Sequence, residues 1–185
     1  MAREERPSDG AYYEQRIQEL SQGDVFRDVP LAYPLPAVEI VLDPEADLGA
    51  RQFLSGPFEL GHAMLLSPTC SMRAQKTGGY AHPVRILAVV RPLSELTEQG
   101  IFTSDRLGLL RKYDALINYM YLPPVEDLPE SVALLYMSVT LHHDMIMGNR
   151  VIQLTQDGAQ QLQRKLVWFS SGLLWPKAEF APPMD

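Results

Sequence analysis

Apolar and polar positions fall into short blocks along the chain, and the blocks predict a strand-rich fold. "DVFRDVPLAY" (24–33) puts Val25, Val29 and Leu31 on one parity with Phe26 opposite, a strand pattern interrupted by Pro30. "GHAMLLS" (61–67) and "VRILAVVRPL" (84–93) are the strongest strand signals. The second is an almost unbroken aliphatic run between Pro83 and Pro92, which predicts a strand buried on both faces. Tyr119 to Leu122, "SVALLYMSVTLH" (131–142) and "RVIQLT" (150–155) read as further strands. "AVEIVL" (37–42) predicts one more, inside a loop from 34 to 60 rich in Pro, Gly and acid.

Three stretches carry helical spacing instead. From Ala11 to Leu20, the positions Tyr13, Ile17 and Leu20 share a face. "TSDRLGLLRKYDALINY" (103–119) predicts a helix capped by Ser104 or Asp105, with Leu107, Leu110, Leu116 and Ile117 apolar. "TQDGAQQLQRKLVWFSSG" (155–172) predicts a terminal helix. Thr155 is its N-cap with Gly158 three residues on, Ala159, Leu162, Leu166 and Phe169 form its apolar face, and Gly172 stops it. Strands outnumber helices and lie close together. The expected fold is mainly β or α+β, built on a small barrel with an inserted helix, a C-terminal helix and an N-terminal helical arm. The expected organisation is an arm at 1–21, one barrel domain at 22–172 and a Pro-rich tail at 173–185.

Composition narrows the class. The chain has 185 residues, 46% hydrophobic and 21% charged, enough for one domain with a real core. A formal net charge of −7 gives no electrostatic drive toward non-specific nucleic-acid binding, though a small basic groove on an acidic body fits it. The single cysteine, Cys70, cannot form an intrachain disulfide, which fits a reducing compartment. The N-terminal stretch is charged and lacks the apolar core of a secretory signal. The longest apolar runs fall short of the roughly 20 residues that span a bilayer. The expectation is a soluble, cytoplasmic protein.

Several blocks, taken in order, resemble one known family. "QGDVF" (22–26) looks like the opening strand of the PemK/MazF-like toxins. "GHAMLLSP" (61–68) is similar to their second strand and "VRILAVVRPLSE" (84–95) to their third. "ESVALLYMSVTLHHDMI" followed by "RVIQLTQDGAQQLQRKLVWF" resembles their final strands and helix. The chain also resembles uncharacterised bacterial proteins with an early "QGD" and an apolar strand ending in "SxxCD"; Ser71 stands where those carry the acid. The resemblance implies an SH3-like barrel, often a homodimer, that cleaves single-stranded RNA without a metal or other cofactor and is held by an antitoxin-like protein partner. It also implies a catalytic pair, for which Arg51 and Ser94 are the positional matches. The family's Gly-rich element before the second strand is replaced here by "GPFELGH".

An arginine clamp and a hydroxyl are the groups such a cleavage needs, because charge-assisted bonds steady the developing phosphorane-like charge. The plainer reading makes Arg51 a loop residue and Ser94 the cap of a turn before Glu95. Arg73, Lys76, Arg85 and Arg91 gather around the second and third strands, as the substrate-binding side of a groove or as a solvated rim. Cys70 would act as a nucleophile only beside a base, for which His62 and His82 are the candidates; otherwise it is a small hydrophobe ending a strand. "HHD" (142–144) reads as a turn, since adjacent histidines on a strand point apart, and no metal is expected. Trp168 or Phe169 is expected in the core, and Trp175 at a partner contact. The readings left open are an RNA-binding or RNA-cleaving barrel, a non-catalytic barrel that docks a protein, and a thiol enzyme using Cys70.

Overall fold

The computed structural model describes residues 13–14, 19–32, 58–72, 82–112 and 116–171. The expected strand at 37–42, Arg51, Arg73, Lys76 and Trp175 lie outside the described residues. The described strands are β1 (Tyr13–Glu14), β2 (Val25–Ala32), β3 (Phe58–Leu65), β4 (Val84–Pro92), β5 (Tyr119–Leu122), β6 (Ser131–His142) and β7 (Arg150–Leu154). Helices α1 (Leu93–Glu98) and α2 (Ser104–Leu110) follow β4, and α3 (Gln156–Ser171) follows β7. The strands form one sheet in the order β1-β7-β2-β3-β4-β6-β5, and every pairing is antiparallel. The sheet curls into a half-barrel, so the fold is the α+β, mainly β, small-barrel type that the strand pattern predicts.

Residues Leu87 to Val90 of β4 are at most 3% exposed, so this part of the strand is buried on both faces as the aliphatic run predicts, whereas Val84 and Ile86 at its start are exposed. Alternate residues serve two cores. Ala88 and Val90 join Val25, Met64, Met120, Ala133 and Leu162 of α3. Leu87 and Val89 join Phe26, Val29, Leu31, Ala63, Leu65 and Ile146 on the other face. A third cluster seats Leu93, Leu96, Phe102 and Leu110 of the α1–α2 region on Val132 and Leu134.

Four local expectations change. Phe26 shares a core with Val29 and Leu31, while Val25 belongs to the other. The cause is one extra residue in β2. Phe26 pairs with Ala63 and Val29 with Gly61, and between them Arg27 and Asp28 turn outward, with Asp28 at φ 53°. Such a bulge reverses parity downstream. The helix expected over Ala11–Leu20 is not formed at Tyr13 and Glu14, which pair with Leu154 and Gln153 of β7. Sheet hydrogen bonds on that edge outweigh a weak helical spacing.

Among the described residues, the helix expected over 103–119 covers only Ser104–Leu110, with Thr103 at its N-cap. Arg111 is tied to Glu130 and the Leu116 carbonyl accepts Lys165 Nζ at 2.9 Å, so the chain leaves the helical path. In α3 the buried face is Gly158, Leu162 and Lys165 with Leu166 packed beside it, and Phe169 is 40% exposed. Lys165 turns inward toward that carbonyl, which rotates the face away from Phe169.

Thr155 behaves as its sequence position predicts: its Oγ1 accepts the Gly158 N–H at 3.3 Å. Thr155→Ala is therefore expected to cost about 1 kcal/mol of stability. Urea unfolding measures this, and Thr155→Ser should retain most of it.

Candidate functional site

Three polar clusters stand out from the framework. The first is built by "QGD". Gly23 takes φ +96°, and a Cβ there would lie 2.5 Å from Leu154 Cδ1, so glycine is required by both backbone and space. The Gly23 N–H donates to the Leu65 carbonyl, and the Leu65 N–H to the Asp24 carbonyl, both at 2.8 Å. Gln22 Nε2 donates to the Leu66 carbonyl at 2.6 Å. The Asp24 side chain has no exposed surface; it accepts the Ser21 N–H at 2.9 Å and Arg150 Nη1 at 3.0 Å. Burial pushes the Asp24 carboxyl up, and the Ser21 and Arg150 donors oppose it. This node ties β2, β3 and β7 together, and its groups face one another rather than solvent.

The second cluster surrounds Ser94. Ser94 is exposed in the first turn of α1, whose N-cap is Pro92, so it lies inside the helix rather than capping a turn. The preceding Leu93 N–H donates to the Glu130 carbonyl at 2.8 Å. Glu130 Oε1 in turn accepts Tyr121 Oη at 2.7 Å and Arg111 Nε and Nη2 at 3.1 and 2.8 Å. Burial alone would raise the Glu130 carboxyl, but these donors outweigh it and hold it below the usual range. Partial burial and the same hydrogen bond push the Tyr121 phenol up to about 12. Arg91, three residues before Ser94, bridges Glu59 and lies 3.9 Å from Glu95. Both arginines at this corner thus face carboxylates, and among the described residues no arginine bonds Ser94.

The third cluster is at the start of β4. Arg85 is wholly buried rather than set on a rim, and its Nη1 donates to the carbonyls of His82 and Val84. The His143 N–H donates to the Pro83 carbonyl at 2.6 Å, and the residue is 2% exposed. His142 is exposed, so the two histidines do point apart. His62, half-buried on β3, and His82, exposed before β4, sit on separate elements. Cys70 lies in a 3-10 turn, Thr69–Met72, with its side chain outside the described residues.

Burial and the neighbouring Arg85 push the His143 imidazole down, with His142 adding to the shift and Asp144 opposing it. A histidine kept neutral in the fold binds its proton more readily when unfolded. Stability should therefore fall as pH drops through about 6.5, the ordinary imidazole value, toward the lowered folded one. His62 is lowered by burial too and adds to the slope. Melting curves between pH 8 and 5 should show this slope, and His143→Gln should flatten it. An unchanged slope would remove His143 as its source.

Sequence reasoning missed the open end of the sheet. Helix α3 covers β4 at Ala88 and Val90, but on the same face Val84 and Ile86 stay 49% and 47% exposed. They pair with His142 and Thr140 of β6. β5 lies beside β6 only over Ser131–Leu134. Leu135, Tyr136 and Met137 then form a bulge against β4, since Val89 pairs with Leu134 and Ala88 with Ser138. Beyond it, among the described residues, Ser138–His142 pairs only with β4. The alternation in "SVALLYMSVTLH" reads through the bulge, so no local signal marks where β5 ends.

Fold and clusters define an α+β half-barrel in which, among the described residues, the outer edge of β6 is unpaired over Ser138–His142. No protein-family model matches the chain, and a search of curated proteins finds no match. No helix among the described residues is long and apolar enough to cross a membrane.

Proposed function

We propose that this half-barrel is an interaction module whose working surface is the open end of its sheet. The observation that carries the reading is the outer edge of Ser138–His142, unpaired among the described residues, beside exposed Val84 and Ile86. Unpaired strand groups are a template for another chain, and exposed β-branched residues supply the apolar contact. A photo-crosslinking residue at Ile86 should give adducts in cells that produce the chain, while one at Arg106 on α2 should not. Equal labelling at both positions would sink the reading.

A toxin-like endoribonuclease that binds or cleaves single-stranded RNA is the second reading. One placement favours it: Ser94 is exposed directly after β4. The carboxylates facing Arg91 and Arg111 weigh against it, because they cancel the charge that would hold a phosphate. Wild type and Ser94→Ala are expected to leave single-stranded RNA equally intact. Cleavage by wild type that is lost in Ser94→Ala would reverse the order of the two readings.

A further inference from the structure

Proteins blunt their sheet edges against unwanted pairing, and this one treats its edges unequally. β5 is four residues long and runs into Pro123 and Pro124. β1 is two residues long. The β6 edge has neither device. Its pairing with β4 is regular from Val84↔His142 to Ala88↔Ser138, and Ser138–His142 contains no Pro, Asp, Glu, Lys or Arg. Among the described residues nothing pairs with this uncharged edge, which makes it a template for a strand partner.

The sequence of that edge matches itself when reversed. Antiparallel pairing about Thr140 sets Thr140 on Thr140, Val139 on Leu141 and Ser138 on His142. Apolar then meets apolar, polar meets polar, and no like charges are opposed. Beyond the ladder, Tyr136 in the bulge and Met145 in the turn after β6 flank the segment, and these two large side chains are 45% and 50% exposed. Tyr136 is already held edge-on to Tyr119, with ring centroids 5.7 Å apart, and Tyr119 edge-on to buried Phe102 at 5.0 Å. A ring fixed in this way gives up little entropy on contact with a partner. Edge pairing about a two-fold axis keeps Val84 and Ile86 of both copies on one side of a continuous sheet. It also closes, so it does not propagate into a fibre.

We infer that the open edge of β6 pairs antiparallel with the same edge of a second copy of this chain, about a two-fold axis at Thr140. The inference rests on reading the sheet end as a docking surface. A contact built on so short a strand belongs to the small, weak interfaces below about 1,200 Å², so the dimer forms and dissociates with concentration.

Sedimentation velocity of the full chain over rising concentration tests it, with wild type, Thr140→Lys, Thr140→Glu and an equimolar mixture of the two variants. Wild type should pass from one chain to two. Each variant alone should stay monomeric, because like charges meet at the axis, and the mixture should dimerise again. Hydrogen exchange on wild type needs no substitution: those amides of 138–142 that face away from β4 should gain protection as concentration rises. A wild type that stays monomeric, or single variants that dimerise as wild type does, would overturn the inference. Monomeric wild type with Ile86 adducts to another protein leaves the docking reading standing and removes this one. Monomeric wild type without adducts removes both.

Discussion

Replacing Arg150 by methionine is expected to lower the unfolding free energy by about 3–5 kcal/mol, the range for stranding one member of a buried ion pair. For a chain of this size that is a fall in Tm on the order of 10 °C. The reason is what is left behind. The Asp24 side chain is fully buried, and Arg150 Nη1 at 3.0 Å is the cation facing it. The same nitrogen reaches the Glu19 carbonyl at 2.8 Å, so the substitution also loosens the chain entering β2. Methionine fills the space of the aliphatic stem but leaves a carboxylate in a site that has lost its countercharge. Adding Asp24→Asn should recover part of the loss, since the stranded charge is then gone. The recovery is the pairwise energy read from the double-mutant cycle. An Arg150→Met protein that melts with wild type would show that water or another group compensates Asp24.

Phe26→Ala is expected to cost a comparable 3–5 kcal/mol, about the usual loss for emptying a buried phenylalanine site. Phe26 has no exposed surface and packs among Val29, Leu31, Ala63, Leu65 and Ile146. It sits at the bulge, where β2 is paired on both sides, with Ala63 of β3 and Arg150 of β7. Paired backbone on both sides limits collapse into the cavity. Leu60→Ala on neighbouring β3 is the control. Leu60 is 62% exposed and should cost less than about 0.5 kcal/mol. Guanidinium unfolding of the two variants measures the difference. Equal losses would mean that Phe26 does not anchor this core.

Local pattern and tertiary structure divide the account of this protein at identifiable residues. Alternation and capping are local properties, and where they decide the outcome the sequence is sufficient. "VRILAVVRP" is β4, buried on both faces from Leu87 to Val90, "SVALLYMSVTLH" is β6 from first residue to last, and Thr155 starts α3. The α+β barrel class follows from the same signals. "QGD" is visible as a feature, but its part in joining three strands is not. The partner of Asp24 lies 126 residues away, and only the fold brings Arg150 to it.

The remaining outcomes depend on partners that no window of sequence contains. Phe26 lies with Val29 because β2 takes an extra residue against β3, and a bulge is a property of the pair. Tyr13 and Glu14 are extended because β7 offers an edge. Arg85 looks like a rim residue by type and spacing, yet its strand position turns it inward onto backbone carbonyls. The open edge of β6 exists because β5 is four residues long and β6 twelve. Sequence alone determined strands β2 to β7, the terminal helix α3 and most of the apolar residues that fill them, since these follow from side-chain period and backbone preference. Tertiary structure alone decided which charges are buried against each other and which strand edge faces solvent, since hydrogen-bond partners in a sheet are set by chain segments far apart.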